Sequence, residues 1–136
     1  MRKTIPFFAA TALALAMIVP PASAAASRDG RWVGTNSQGE PFKFTVRHEE
    51  IVALLTHLNF GACNLHVTER GSGLSIPIRA DGTFRVELTS AEDRHDTLTI
   101  SGEFTAPRRA IGTVRAVEKG GDCDGTTKAT WKVTKR

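Results

Sequence analysis

The residues best suited to chemistry lie around the two cysteines. Cys63-x-x-His66 has the spacing of a metal-ligand pair, and His57, Asp122, Cys123 and Asp124 could complete a set. Zinc sites commonly show a short-spaced ligand pair at each end, and the second half here has no Cys-x-x-Cys or His-x-x-x-His. Cys63 and Cys123 are the only cysteines in 136 residues, and an even count in an exported chain favours a disulfide over a metal. If they pair, closing so long a loop stabilises the fold by about 4 kcal/mol in the chain-entropy treatment. Asp122-Cys123-Asp124-Gly125 echoes the opening of a calcium loop, but the later oxygen ligands and the closing glutamate are missing. A polar turn around a cystine is the expectation.

Nucleophilic and acid–base sets are thin. Gly71-Ser72-Gly73 places a serine between glycines without the Gly-x-Ser-x-Gly elbow or its strand-to-helix setting, and so reads as a hairpin turn. Arg94-His95-Asp96 sets acid beside base on a polar loop, where adjacent side chains diverge. Glu49-Glu50, Glu92-Asp93 and the Asp122/Asp124 pair could divide acid and base roles, yet nothing in the pattern marks one of them as buried. His48, His57 and His66 recur at nine-residue steps, a spacing that gains meaning only if their strands stack. No catalytic residue, cofactor or metal is expected.

The elements that must position these residues repeat with period two, the signature of half-buried strands. Phe42, Phe44 and Val46 face one way while Lys43, Thr45 and Arg47 face the other. The alternation recurs in Phe84, Val86 and Leu88, in Leu98, Ile100 and Phe104, and in Ala129, Trp131 and Val133. Turn residues separate these runs. Seven or eight antiparallel strands follow, forming an all-β sandwich or small barrel. Residues 49–60 fit either period, because Ile51, Leu54, Leu55 and Leu58 match a helical face while Val52, Leu54, Leu58 and Phe60 match one side of a strand. The tight turn available at Glu49-Glu50 favours a long strand. Across Gly112 the apolar phase slips between Ile111 and Val114, which suggests a bulge. Pro77 cannot donate to a ladder and places its strand at an edge. Trp32 and Trp131, near the two ends of the domain, would plug the core if the first and last strands pair.

Residues 1–24 read as a secretory leader: Arg2 and Lys3, an apolar stretch over 5–19, then Ala22-Ser23-Ala24. The apolar run is too short to cross a bilayer, so no membrane span is expected once the leader is removed. The remaining 25–136 form one domain, periplasmic or secreted. Without Arg2 and Lys3 the net charge falls from +4 to +2, and the basic residues are scattered. A nucleic-acid groove is therefore disfavoured.

Gly30-Arg31-Trp32-Val33-Gly34, the mid-chain Cys63, Ile100-Ser101-Gly102-Glu103-Phe104, Cys123 and the closing Trp131 together resemble a group of small exported bacterial β-proteins of unknown function. The resemblance implies a compact sandwich or barrel with a Cys63–Cys123 bridge, and no activity. The function expected is recognition of an envelope or extracellular protein, a glycan or a small ligand by a monomer. Its surfaces would be the polar loops that carry Asn36, Gln38, Arg70, Ser72, Arg94, His95, Asp122 and Asp124. A self-associating envelope protein, or an inhibitor or accessory of an extracellular hydrolase, is the alternative.

Overall fold

The computed structural model describes residues 27–61, 63–69, 73–90 and 96–136; the expected leader lies outside them. Among the described residues nine strands form: β1 (Gly30–Asn36), β2 (Pro41–Arg47), β3 (Glu50–Phe60), β4 (Cys63–Glu69), β5 (Ile76–Pro77), β6 (Thr83–Thr89), β7 (Thr97–Ala106), β8 (Arg109–Glu118) and β9 (Gly125–Lys135). All pairs are antiparallel, in the order β4-β3-β2-β1-β9-β8-β7-β6, with the two-residue β5 against the start of β3. One sheet curls on itself as a half-barrel, with β4 and β6 as its free edges. No helix long and apolar enough to cross a membrane occurs among the described residues.

The expected pairing of first strand with last is present in the middle of the sheet, where β1 pairs with β9 from Trp32↔Lys135 to Asn36↔Trp131. Both tryptophans are core residues at 0% and 1% exposure. Trp32 donates its indole N–H to the Arg28 carbonyl at 2.9 Å, while Trp131 stacks on Phe42 with centroids 4.5 Å apart. Phe84 stacks on Trp131 at 24° and Phe44 on Trp32 at 15°, while Phe44 meets Trp131 and Phe104 meets Trp32 edge-on. Such aromatic pairs each add about 1 kcal/mol beyond the area they bury.

Strand β3 settles the ambiguity of 49–60 and explains it. Its register with β2 slips between Thr45↔Ala53 and Val46↔Ile51, leaving Val52 as the extra residue of a bulge. The bulge turns both Ile51 and Leu54 inward, so a helix-like spacing arises inside a strand. Val52 itself does not join the buried face. The bulge expected at Gly112 is not there. β8 keeps regular register through Gly102↔Gly112 and Gly112↔Trp131, with Ala110, Val114 and Ala116 buried and Ile111 outside. The irregularity falls instead between Phe104 and Ala106, next to the hairpin.

Glycine at 112 answers to packing. A Cβ there would lie 2.3 Å from the Trp131 ring and 2.0 Å from the Ser101 carbonyl oxygen; one at Gly102 would lie 2.4 Å from the same ring. The indole thus covers two neighbouring strand positions that carry no side chain, where it approaches the backbone closely. Gly112→Ala is expected to lower unfolding stability by about 3 kcal/mol, the upper part of the overpacking range. Urea unfolding checks this, and an unchanged midpoint would contradict the packing.

Candidate functional site

Strand directions gather the connections after β1, β3, β6 and β8 at one end of the half-barrel. Cys63 and Cys123 are bridged there, with Cα atoms 5.7 Å apart and a sequence separation of 60. This removes both thiols as ligands. Asp96 ties two of the connections, since its Oδ1 accepts the Lys119 N–H at 2.9 Å and its carbonyl accepts the Ser90 N–H at 3.0 Å. Asp122 and Asp124 are exposed on the β8–β9 hairpin. Arg70, Ser72, Arg94 and His95 lie outside the described residues.

Asn36 and Gln38, expected as binding-loop residues, direct their side-chain hydrogen bonds within the fold. Asn36 is 5% exposed; its Oδ1 accepts the N–H groups of Gln38 and Glu40, and its amide donates to the His57 carbonyl at 2.8 Å. It is the organiser of the β1–β2 turn, as asparagine often is. Above that short hairpin the longer β3 and β9 converge, and the Gln38 side chain joins them. Its Oε1 accepts the Asn59 N–H at 2.8 Å, while its Nε2 donates to the Asn59 carbonyl at 3.2 Å and to Thr127 at 3.1 Å. A side-chain amide here does the work of a backbone peptide in a ladder.

The interior is filled by the aromatic core, and a concavity lies outside it. A groove of about 560 Å³ runs across β7, β8 and β9, within the size range of small-ligand sites. Two cross-strand rows form it: Ser101, Thr113 and Thr130, then Glu103, Ile111 and Lys132. Its floor is the bare backbone of Gly102 and Gly112, beneath which lies Trp131. Ser101 and Thr113 share a hydroxyl hydrogen bond at 3.0 Å. Ile111, at 41%, is the only exposed large hydrophobic among the described residues, set between one carboxylate and one ammonium. These residues escaped sequence reading because each looked like an ordinary outward position. A smaller groove of about 330 Å³ on β1–β3 is flanked by Arg31 and Lys43.

Fold and groove define a small all-β protein presenting a mixed polar and apolar surface on rigid strands. No family model matches the sequence, and no curated protein matches it. Among solved structures, EF1p2_mFAP2b bound to DFHBI is similar at a TM-score of 0.47 and 10% identity, over 82% of this chain and 97% of that chain.

At the groove's edge Thr83 donates its hydroxyl to Asp81 at 2.6 Å, and its N–H does so at 2.9 Å. The Thr83 hydroxyl, then its backbone N–H, hold the Asp81 carboxyl below the usual aspartate range. A lowered pKa means that the carboxylate form is favoured by folding, so this contribution is present at neutral pH and lost as pH falls through the folded value. Thr83→Val is expected to move the Asp81 titration midpoint upward in a carbon-detected NMR titration. An unmoved midpoint would show that the hydroxyl plays no part.

Proposed function

We propose that this chain is a non-catalytic binding module that seats a neutral, hydroxyl-rich ligand, such as a saccharide segment, in the groove across β7, β8 and β9. The observation that carries the reading is the groove's composition. Hydroxyls of Ser101, Thr113 and Thr130 offer both donors and acceptors, the flank of Ile111 supplies an apolar face, and Glu103 and Lys132 sit at opposite ends of its row. A sugar ring presents the complementary mixture. Because these side chains stand on strands, little ordering entropy is lost on binding.

The same reading places the protein outside the cytoplasm, periplasmic or secreted. The leader-like segment 1–24 and the cystine support that address. It also supports grouping the chain with the small exported bacterial β-proteins its sequence resembles. A second reading, self-association, is favoured by one observation: β4 and β6 are seven-residue strands on the two free edges of the sheet. Sedimentation at rising concentration separates a monomer from edge-paired assemblies.

Titration with neutral oligosaccharides, followed by amide NMR shifts, tests the groove directly. Shifts are expected to concentrate at Ile111, Thr113 and Lys132, and Ile111→Glu is expected to weaken binding by about tenfold, or 1.4 kcal/mol, without moving the unfolding midpoint. Shifts centred on the 119–125 hairpin, or none at millimolar sugar, would overturn the proposal.

A further inference from the structure

On the outer face, away from the groove, β3 and β4 bring two histidines together that the sequence holds nine residues apart. His57 pairs directly with His66 in the ladder, and the rings stack with centroids 4.0 Å apart at 30°. His48 is not part of this cluster. It sits in the β2–β3 turn at the far end.

A carboxylate attends the pair. Glu40 Oε2 lies 3.8 Å from His57 Nδ1, while Glu40 Oε1 faces the Asn59 amide at 3.5 Å. Metal-bound histidines characteristically direct their second ring nitrogen at a carboxylate, which fixes the ring and its tautomer. Here Nδ1 of His57 faces Glu40 at ion-pair and not hydrogen-bond distance, and Nε2 has no hydrogen bond among the described residues. Both rings reach solvent, with the His57 side chain 28% exposed. The backbone beneath is rigid, held on one side by β2 and by the bridge at Cys63, three residues from His66.

We propose that His57 and His66 form a two-imidazole site for a borderline divalent transition ion of the Zn(II) or Cu(II) kind, with Glu40 as positioning residue and water completing the coordination. Imidazole nitrogens suit these ions. No group of three or more His, Cys, Asp or Glu among the described residues is arranged to hold a metal, so the site offers two protein ligands. Exposed ring torsions must turn the stacked lone pairs toward a common point, with nitrogens about 3.3 Å apart, as tetrahedral Zn–N bonds of about 2.0 Å require. Stacked rings at 4.0 Å lie close to that separation. Because metal and proton compete for the same nitrogens, binding weakens as pH falls.

Untagged, disulfide-intact protein is titrated with zinc chloride by calorimetry, and the imidazole nitrogens are followed by long-range proton–nitrogen NMR. One equivalent is expected to bind, with shifts at the Nε2 of His57 and at one ring nitrogen of His66. His66→Ala and His57→Ala should each lose at least about tenfold in affinity, and Glu40→Gln about tenfold with altered His57 nitrogen shifts, within the range such carboxylates contribute. Thermal melts of the metal-free variants establish that each is folded. Retention of full affinity in folded His66→Ala, or no saturable binding at millimolar zinc, would overturn the proposal.

Discussion

The contact between the Trp131 indole and the bare backbone at Gly102 and Gly112 is the constraint on which the rest of the half-barrel depends. Three neighbouring strands meet in one row, Gly102↔Gly112↔Trp131, and Phe84 continues it opposite Gly102. Without side chains on β7 and β8, the indole lies close against the sheet on one face and stacks on Phe42 with the other. The aromatic core is organised around that slab. The groove on the outside has the same two glycines as its floor, so core and candidate site are two sides of one packing solution.

Closure at the two ends uses different physics. At one end the short β1–β2 hairpin leaves β3 and β9 to converge, and the gap is spanned by the Gln38 amide and then by the Cys63–Cys123 bridge. The bridge acts largely on the unfolded chain, by about 4 kcal/mol for a loop of this length. At the other end the β2–β3 turn holds His48 at φ 50° and Glu49 at φ 60°, a conformation costly for residues with side chains. Three partners fix it: Asp29 accepts the His48 N–H, Glu49 pairs with Arg28, and the Glu49 carbonyl accepts the Ile78 N–H.

Period two made most of the strands legible, and with them the buried aromatics; the missing N–H of Pro77 gave its edge position, and an even cysteine count in a chain expected to be exported gave the disulfide. What escaped depended on register. The Val52 bulge gives Ile51 and Leu54 a helical spacing that only pairing with β2 explains. Gly112 looked like a slipped phase because its inward neighbour is a ring from another strand. Asn36 and Gln38 were read as binding groups from polarity, yet a tight turn and a strand junction consume their hydrogen-bonding atoms. The nine-residue step from His57 to His66 gained meaning only from the β3–β4 pairing, and the Glu103, Ile111, Lys132 row exists only across strands, where no linear spacing records it.

The proposed binding groove stands on strands and not on the turns that connect them. The geometry of that groove is inherited from the glycine–tryptophan contact beneath it, so ligand binding there, as proposed, would be preorganised. The most direct test is a proton nuclear Overhauser spectrum of the oxidised protein. The expected result is strong cross-peaks from the Trp131 Hζ2 proton to the α protons of both Gly102 and Gly112. Absence of both, with the Trp131 indole exposed to solvent, would contradict the packing on which the fold and its groove rest.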